Sequence, residues 1–298
     1  MSTVPQLVQY QGSKRKLAPQ ILQYLPVKMN KFIEPFSGMA AMTMAVSSEG
    51  RANQYIINDI NAPLVGILQC AIDTPDILIK RYSELWKKQF EYKDHTEHFY
   101  KVRDEFNSGN QSPENMLYLI ARCVKGSIRY GKNGLFKQSP DKRRHGTNPE
   151  NIEKNVYAIS GLLKGKASFH HMDYKDIFFM AETGDVIYMD PPYQGVSNER
   201  DNRYYAGLSF EEFVDSLYYL NEHDIDYIIS YDGKYGDKEY GSDLPDDLEC
   251  AKILLNAGIS TQATLLGDKL ITYESLYVSR GLQGNFRALP KQLCLAGF

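Results

Sequence analysis

No apolar run in these 298 residues approaches the length that crosses a bilayer, which argues against a membrane-spanning helix. Residues 1–9 have neither the basic start nor the apolar middle of a secretion signal, so a cytoplasmic protein without membrane attachment is expected. Cysteine is scarce: Cys70, Cys123, Cys250 and Cys294 lie far apart, with no C-x-x-C pair and no histidine at ligand spacing nearby. Reduced thiols and no metal site are the expectation. An excess of positive charge is also missing, since 34 Lys and Arg against 37 Asp and Glu leave a net charge of -3. Coating of nucleic acid by bulk charge is excluded, and any affinity for it must come from a local patch. There is no internal repeat or low-complexity tract.

What is present is ordinary for a globular protein of one large or two modest domains, 43% hydrophobic and 24% charged. Short apolar runs at residues 31–34, 55–59, 168–173, 185–190 and 226–231 end in polar or acidic residues and precede helix-like segments. That alternation predicts an α/β sheet with helices on its faces. Two further strands are expected at 263–266 and 274–279, close together and antiparallel, making seven. Between the second and third strands, residues 62–165 have a helical, charged first half and a Gly/Lys/Arg-rich second half; a connection so long must be its own subdomain. In its helical part, His95 and His98 read as surface residues rather than metal ligands, for want of another ligand. The last dozen residues carry no interpretable signal.

The local basic patch lies at residues 122–144, where Arg122, Lys125, Arg129, Lys132, Lys137, Lys142, Arg143 and Arg144 face a single acid, Asp141. A solvated basic loop is the alternative to a nucleic-acid contact.

The chemistry is concentrated in Asp190-Pro191-Pro192-Tyr193, which follows the apolar run Val186-Ile187-Tyr188-Met189. This places it at the carboxyl end of a parallel strand, where α/β folds bind their ligands. An aromatic exocyclic amine is a poor nucleophile because its lone pair is delocalised into the ring. An enzyme must accept hydrogen bonds from its N–H groups and let the nitrogen pyramidalise. A carboxylate at Asp190 and the main-chain carbonyl of Pro191 suit this task, and the rigid Pro-Pro pair fixes that carbonyl. Tyr193 offers a flat face on which an unpaired base stacks. A strand-ending turn is the competing reading, since Asp and Pro are common turn residues.

With this tetrapeptide the sequence resembles the amino-methylating DNA methyltransferases, and specifically the adenine-N6, Dam-type (D12) class, whose catalytic motif is D-P-P-Y. Other matches follow in the family's order. Tyr10-Gln11-Gly12-Ser13-Lys14 resembles the opening aromatic-x-G-G-K, with Ser13 in place of the second glycine; the resemblance assigns Tyr10 and Lys14 to the cofactor. Glu34-Pro35-Phe36-Ser37-Gly38, continued by Met39-Ala40-Ala41, resembles the F-x-G-x-G cofactor loop. Glycine there permits close backbone approach and a sharp turn into a helix. Ala40 stands where many members have a second glycine, so a tighter, less mobile loop is expected.

Asp59, at the end of the second strand, corresponds to the acid that holds the cofactor ribose, and Asp173 to a position near the cofactor's adenine. An aspartate that only caps the next helix is the competing reading for both. Arg129-Tyr130, with Asn133-Gly134-Leu135-Phe136 downstream, resembles the R-Y-N loop and G-x-F of Dam-type enzymes, whose tyrosine wedges into the base stack. Gly131 and Lys137 depart from the family pattern, so a recognised DNA sequence does not carry over. Asn202-Arg203-Tyr204-Tyr205 is polar and aromatic, suited to closing over a flipped base, and Ser230-Tyr231-Asp232-Gly233, at the end of the fifth strand, resembles the family's small polar motif lining the target pocket.

The resemblance implies a Rossmann-like, seven-stranded methyltransferase sheet with an inserted, mainly helical target-recognition subdomain. Residues 1–61 and 166–298 form the catalytic domain, and residues 62–165 recognise double-stranded DNA. S-adenosylmethionine is the implied cofactor, and the implied reaction is methylation of a flipped adenine. Lys125, Arg129, Tyr130, Lys132, Asn133, Lys137, Arg143 and Arg144 are the expected DNA contacts, most of the cations on phosphates. A monomer is expected, with any cognate restriction endonuclease a separate protein. Cytosine-N4 methylation is the nearest alternative. An RNA or glutamine target is disfavoured because such relatives usually begin the tetrapeptide with asparagine, and a non-catalytic DNA-binding regulator is disfavoured by the intact Asp59, Asp190 and Tyr193.

Overall fold

A computed structural model describes residues 4–192, 208–235, 238–239, 242–259 and 271–288. The strands are β1 (Met29–Glu34), β2 (Ala52–Asn58), β3 (Ala167–His170), β4 (Val186–Met189), β5 (Asp226–Tyr235), the two-residue β6 (Lys238–Glu239), β7 (Ala251–Ile259) and β8 (Ile271–Val278). They form one sheet in the order β3-β2-β1-β4-β5-β8-β7, with β6 paired to β5. The first five run parallel, and β8 and β7 are antiparallel additions. The expected seven-stranded sheet is therefore present, with one further short strand. The sixth long strand, however, is β7, not residues 263–266, which lie outside the described residues.

Alternation along each strand explains the layers, because successive side chains point to opposite faces. Phe32, Tyr188 and Ile228 enter one core, whereas Ile33, Ile187 and Ile229 enter the other. The second face is covered by α8 (Tyr174–Phe178) and α9 (Phe210–Glu222) through Phe178, Phe213 and Leu217. Ser209 caps α9 by accepting from the Glu212 amide, a start signalled by S-x-x-E.

The first face is covered by α2 (Ala41–Ser48), α3 (Ala62–Asp73), α4 (Pro75–Lys88), α5 (His95–Asn107), α6 (Pro113–Arg122) and α7 (Pro149–Leu163), behind the short N-terminal helix α1 (Ala18–Ile21). Asp94, Ser112 and Asn148 cap α5, α6 and α7, the latter two followed by proline at the first helical position. Apolar residues of α3 to α7 belong to the same core as Phe32 and Tyr188. The insertion is thus cored on the sheet itself. No single helix among the described residues is long and apolar enough to cross a membrane.

Two expectations for the insertion are corrected. His98 is 2% exposed, not a surface residue: Nε2 lies 3.0 Å from the Leu85 carbonyl, and burial lowers its pKa. Arg122 is also 2% exposed and is no part of a surface patch, since its guanidinium donates to the carbonyls of Asp141 and Arg144. Sequence alone does not reveal that the final turn of α6 points this cation inward.

Candidate active site

The neighbours of β1 explain where the site lies. The chain moves from β1 to β2 on one side and reaches β4 on the other, so the sheet reverses direction of growth between β1 and β4. At such a switch point the loops after the strands diverge and leave a crevice. Here the crevice is a cavity of about 320 Å³. Glu34 and the loop after β1, Asp59 after β2, Asp173 after β3 and Asp190 after β4 all line it.

Each loop is fixed by its own polar bonds. The Asp59 carboxylate accepts the Gly38 amide at 2.8 Å and the Asn61 amide at 2.9 Å, and burial raises its pKa. A carboxylate has about four acceptor positions, so acceptor capacity remains beyond these two bonds. The Asn58 side-chain amide donates to the carbonyls of Pro35 and Met172 and accepts from the Met172 amide, tying the β1 and β3 loops together.

Gly38 has φ +51, and a Cβ there would lie 3.0 Å from the Tyr10 ring, so the absent side chain lets the aromatic cover the loop. Ala40 is also left-handed, at φ 53, and completely buried. For a non-glycine residue that conformation costs about 1–2 kcal/mol. The Ser37 hydroxyl, buried beside the cavity, has no hydrogen-bond partner among the described residues.

The charged groups are the site's most distinctive feature. Glu34 is buried at the end of β1; its carboxylate accepts from the Thr43 amide at 2.9 Å and the Thr43 hydroxyl at 2.6 Å. Burial nevertheless pushes its pKa up to about 8, so it holds a proton at neutral pH. Asp190 is raised to about 6, first by desolvation, opposed by the ammonium of Lys14 at 3.0 Å. Lys14 lies in a 3-10 turn capped by Ser13, the residue replacing a glycine of the family pattern. That ammonium also contacts Glu274 of β8 at 2.8 Å.

The structure brings together Tyr10, Lys14, Glu34, Pro35, Phe36, Ser37, Gly38, Asp59, Asp173, Asp190, Pro191 and Pro192 around this cavity. Asp173 lines the cavity and also caps α8 by accepting the Lys175 amide at 2.9 Å. Tyr193 and residues 202–205 lie outside the described residues. Ser230 is fully buried, and its hydroxyl sits 2.7 Å from that of Tyr188, behind the cavity.

The expected DNA contacts occupy a separate loop, residues 123–148. Bonds from the Lys137 amide to the Arg129 carbonyl and from the Gly131 amide to the Leu135 carbonyl close it into a small hairpin. The Asn107 side chain pins the base of the hairpin through both the amide and the carbonyl of Phe136. Lys125, Arg129, Lys132, Asn133, Lys137, Arg143 and Arg144 are exposed. Tyr130 is not: it is 6% exposed, packs edge-on against Phe136 and hydrogen-bonds through its hydroxyl to the Asn61 side chain. Inward packing is the opposite of what an already exposed wedge requires.

Sequence reasoning missed Glu274, Asn61 and Ile128. Asn61 joins the Asp59 turn to Tyr130, and Ile128 brings the basic loop to the cavity wall. No local motif marks Glu274; only strand pairing delivers it to Lys14.

Comparison with known proteins agrees with this geometry. The family described as D12 class N6 adenine-specific DNA methyltransferase matches residues 10–257. The Retron Ec67 DNA adenine methylase of Escherichia coli is 28% identical over 200 residues, covering 65% of this chain and 65% of that protein. The type II methyltransferase M.MjaIII of Methanocaldococcus jannaschii is 26% identical over 224 residues, 70% of this chain and 76% of that protein. A DNA adenine methylase of Haemophilus influenzae is 28% identical over 208 residues, 68% of each chain. With a strand-end Asp-Pro-Pro opening onto a switch-point cavity, and a match running from Tyr10 into β7, the chain belongs to the D12 class of N6 adenine-specific DNA methyltransferases.

Proposed function

We propose that this protein methylates the N6 amine of an adenine flipped out of double-stranded DNA, with S-adenosylmethionine as donor. The observation that carries the proposal is the position of Asp190 and Pro191 at the end of β4, opening into the same cavity that Ser37, Gly38 and Asp59 line. The residues present fit the donor. Asp59 keeps acceptor positions for ribose hydroxyls, the unpartnered Ser37 hydroxyl faces the same space, and several carboxyl groups line a cavity suited to a cationic ligand. When bound, S-adenosylmethionine supplies a sulfonium-activated methyl carbon, which needs no metal to be electrophilic.

The chain's own residues then do three things. Asp190 and the Pro191 carbonyl accept the amine's N–H groups and aim its nitrogen lone pair. Tyr10 and the loop at residues 36–40 hold the donor's position relative to that nitrogen, and positioning of this kind is the largest available contribution to rate. Asp190 or water takes the surplus proton after transfer.

Residues 62–165 are proposed as the DNA-facing part, with the Arg129–Lys137 hairpin and Arg143 and Arg144 on the phosphates. Tyr130 becomes the wedge only if DNA binding releases it from Asn61. Such an enzyme modifies one base per visit and acts as a monomer; a cognate endonuclease, where one exists, works apart from it. The test is expression in a methylation-free host followed by sequencing of native genomic DNA. Modified adenine in one short motif supports the proposal, modified cytosine replaces the substrate, and no modification by folded protein overturns it.

A further inference from the structure

Lys14 is expected, from the family resemblance, to contact the cofactor, yet its ammonium is held between two carboxylates, Asp190 at 3.0 Å and Glu274 at 2.8 Å. The three side chains are 9%, 22% and 14% exposed for Lys14, Asp190 and Glu274, so water screens them little. They come from three separate parts of the chain: the N-terminal 3-10 turn, the end of β4 and the middle of β8. Glu274 reaches the site because β8 pairs with β5, itself the neighbour of β4.

We propose that Glu274 is a positioning residue for methyl transfer: from β8 it clamps the Lys14 ammonium against Asp190, fixing the counter-ion of the carboxylate that receives the target amine. This rests on the function proposed above. A flexible four-carbon stem leaves an ammonium many positions, and each carboxylate beside it narrows them. The second carboxylate holds it in place. Glu274 also carries a like charge near Asp190, and so acts on that group's titration in two ways. Its negative charge opposes ionisation of Asp190, while the cation it holds favours ionisation. The other groups facing Asp190 electrostatically are Glu34 at the end of β1 and the Tyr188 hydroxyl on β4. Glu34 holds a proton at neutral pH and Tyr188 is neutral, so the Lys14–Glu274 pair dominates.

The test compares the full-length wild type with Glu274→Gln, Glu274→Ala and Lys14→Met. The Asp190 carboxyl carbon is followed by NMR as a function of pH, its signal identified by Asp190→Asn, alongside the pH profile of single-turnover DNA methylation. Gln keeps an acceptor for Lys14 but loses the charge, so the Asp190 midpoint and the acidic limb of the rate should both move down by about one pH unit. Lys14→Met should move the midpoint upward. Glu274→Ala, which removes this carboxylate from beside the ammonium, should lower the plateau rate roughly tenfold or more while Gln restores most of it. A structural role alone would change melting temperature and leave the midpoint where it is. An unmoved midpoint in Glu274→Gln, or equal plateaus for the Ala and Gln variants, overturns the inference. If the midpoints move as stated but wild type methylates no DNA, the electrostatic coupling of Glu274 to Asp190 stands, while the functional proposal falls and the positioning role falls with it.

Discussion

Glu34 shows how burial alone can set the charge of a single side chain on the cavity wall. It is buried at the end of β1 with two hydrogen bonds from Thr43, but these do not replace the water it loses, and its pKa rises from 4.5 to about 8. An acid whose folded pKa is raised stabilises the native state most fully below its unfolded pKa, and that contribution is lost as pH rises through the folded value. Between about pH 4.5 and 8, wild-type stability should therefore decline. Glu34→Gln keeps an acceptor oxygen for Thr43 without a titrating proton, so its melting temperature should decline far less across the same interval. Parallel curves for the two proteins would show that Glu34 is ionised within the fold. Asp190, raised to about 6 by burial, is by contrast mostly ionised at neutral pH.

At the scale of elements, the N-terminal segment and the basic loop are built as one unit. The Gln11 amide donates to the Gly126 carbonyl, and Gly126 has φ +61 with no room for a side chain, since a Cβ would lie 1.8 Å from the Gln9 carbonyl oxygen. Gly126→Ala must push the segment carrying Tyr10 and Lys14 away from its place. Donor affinity, measured by titration calorimetry, should fall by roughly tenfold or more, about 1.4 kcal/mol. Gly165→Ala is the control: φ is +74 but nothing lies within 4 Å, so backbone strain acts alone and donor affinity should be unchanged. Equal effects from the two would refute the coupling.

The same scale shows what the sequence makes legible. Strand β4 is a continuous apolar run and β1 and β2 finish on short ones, each leading into motif residues, and the D-P-P-Y and E-P-F-S-G segments are contiguous, so both are readable directly. Strand β7 was not, because Asn256 and Gly258 look like a turn. In the structure they form an irregularity in its pairing with β8, with Gly258 at φ +84. Glu274, Asn61 and the inward course of Arg122 and Tyr130 depend on contacts between distant segments, which residue spacing does not encode.

For the whole molecule, net charge and binding role pull in opposite directions. An overall charge of -3 repels DNA at long range, so on the function proposed above association depends on the exposed cations of residues 125–144. Binding should weaken steeply with salt, and Lys132→Ala, at the tip of the hairpin, should reduce the slope of log affinity against log salt by about 0.9 if it holds one phosphate. An unchanged slope would remove Lys132 from the interface. Because α3 to α7 share the sheet's core, the cavity and the hairpin belong to a continuous packed body, through which the Asn61–Tyr130 bond links them.

The most direct measurement incubates purified wild-type protein or Asp190→Ala with S-adenosylmethionine and unmethylated duplex DNA, then digests the DNA to nucleosides for mass spectrometry. N6-methyladenine from wild type, with a loss of at least about a hundredfold in the variant that still binds the donor, is the predicted result. N6-methyladenine formed equally by Asp190→Ala would contradict the assignment of Asp190 as the group that receives the target amine.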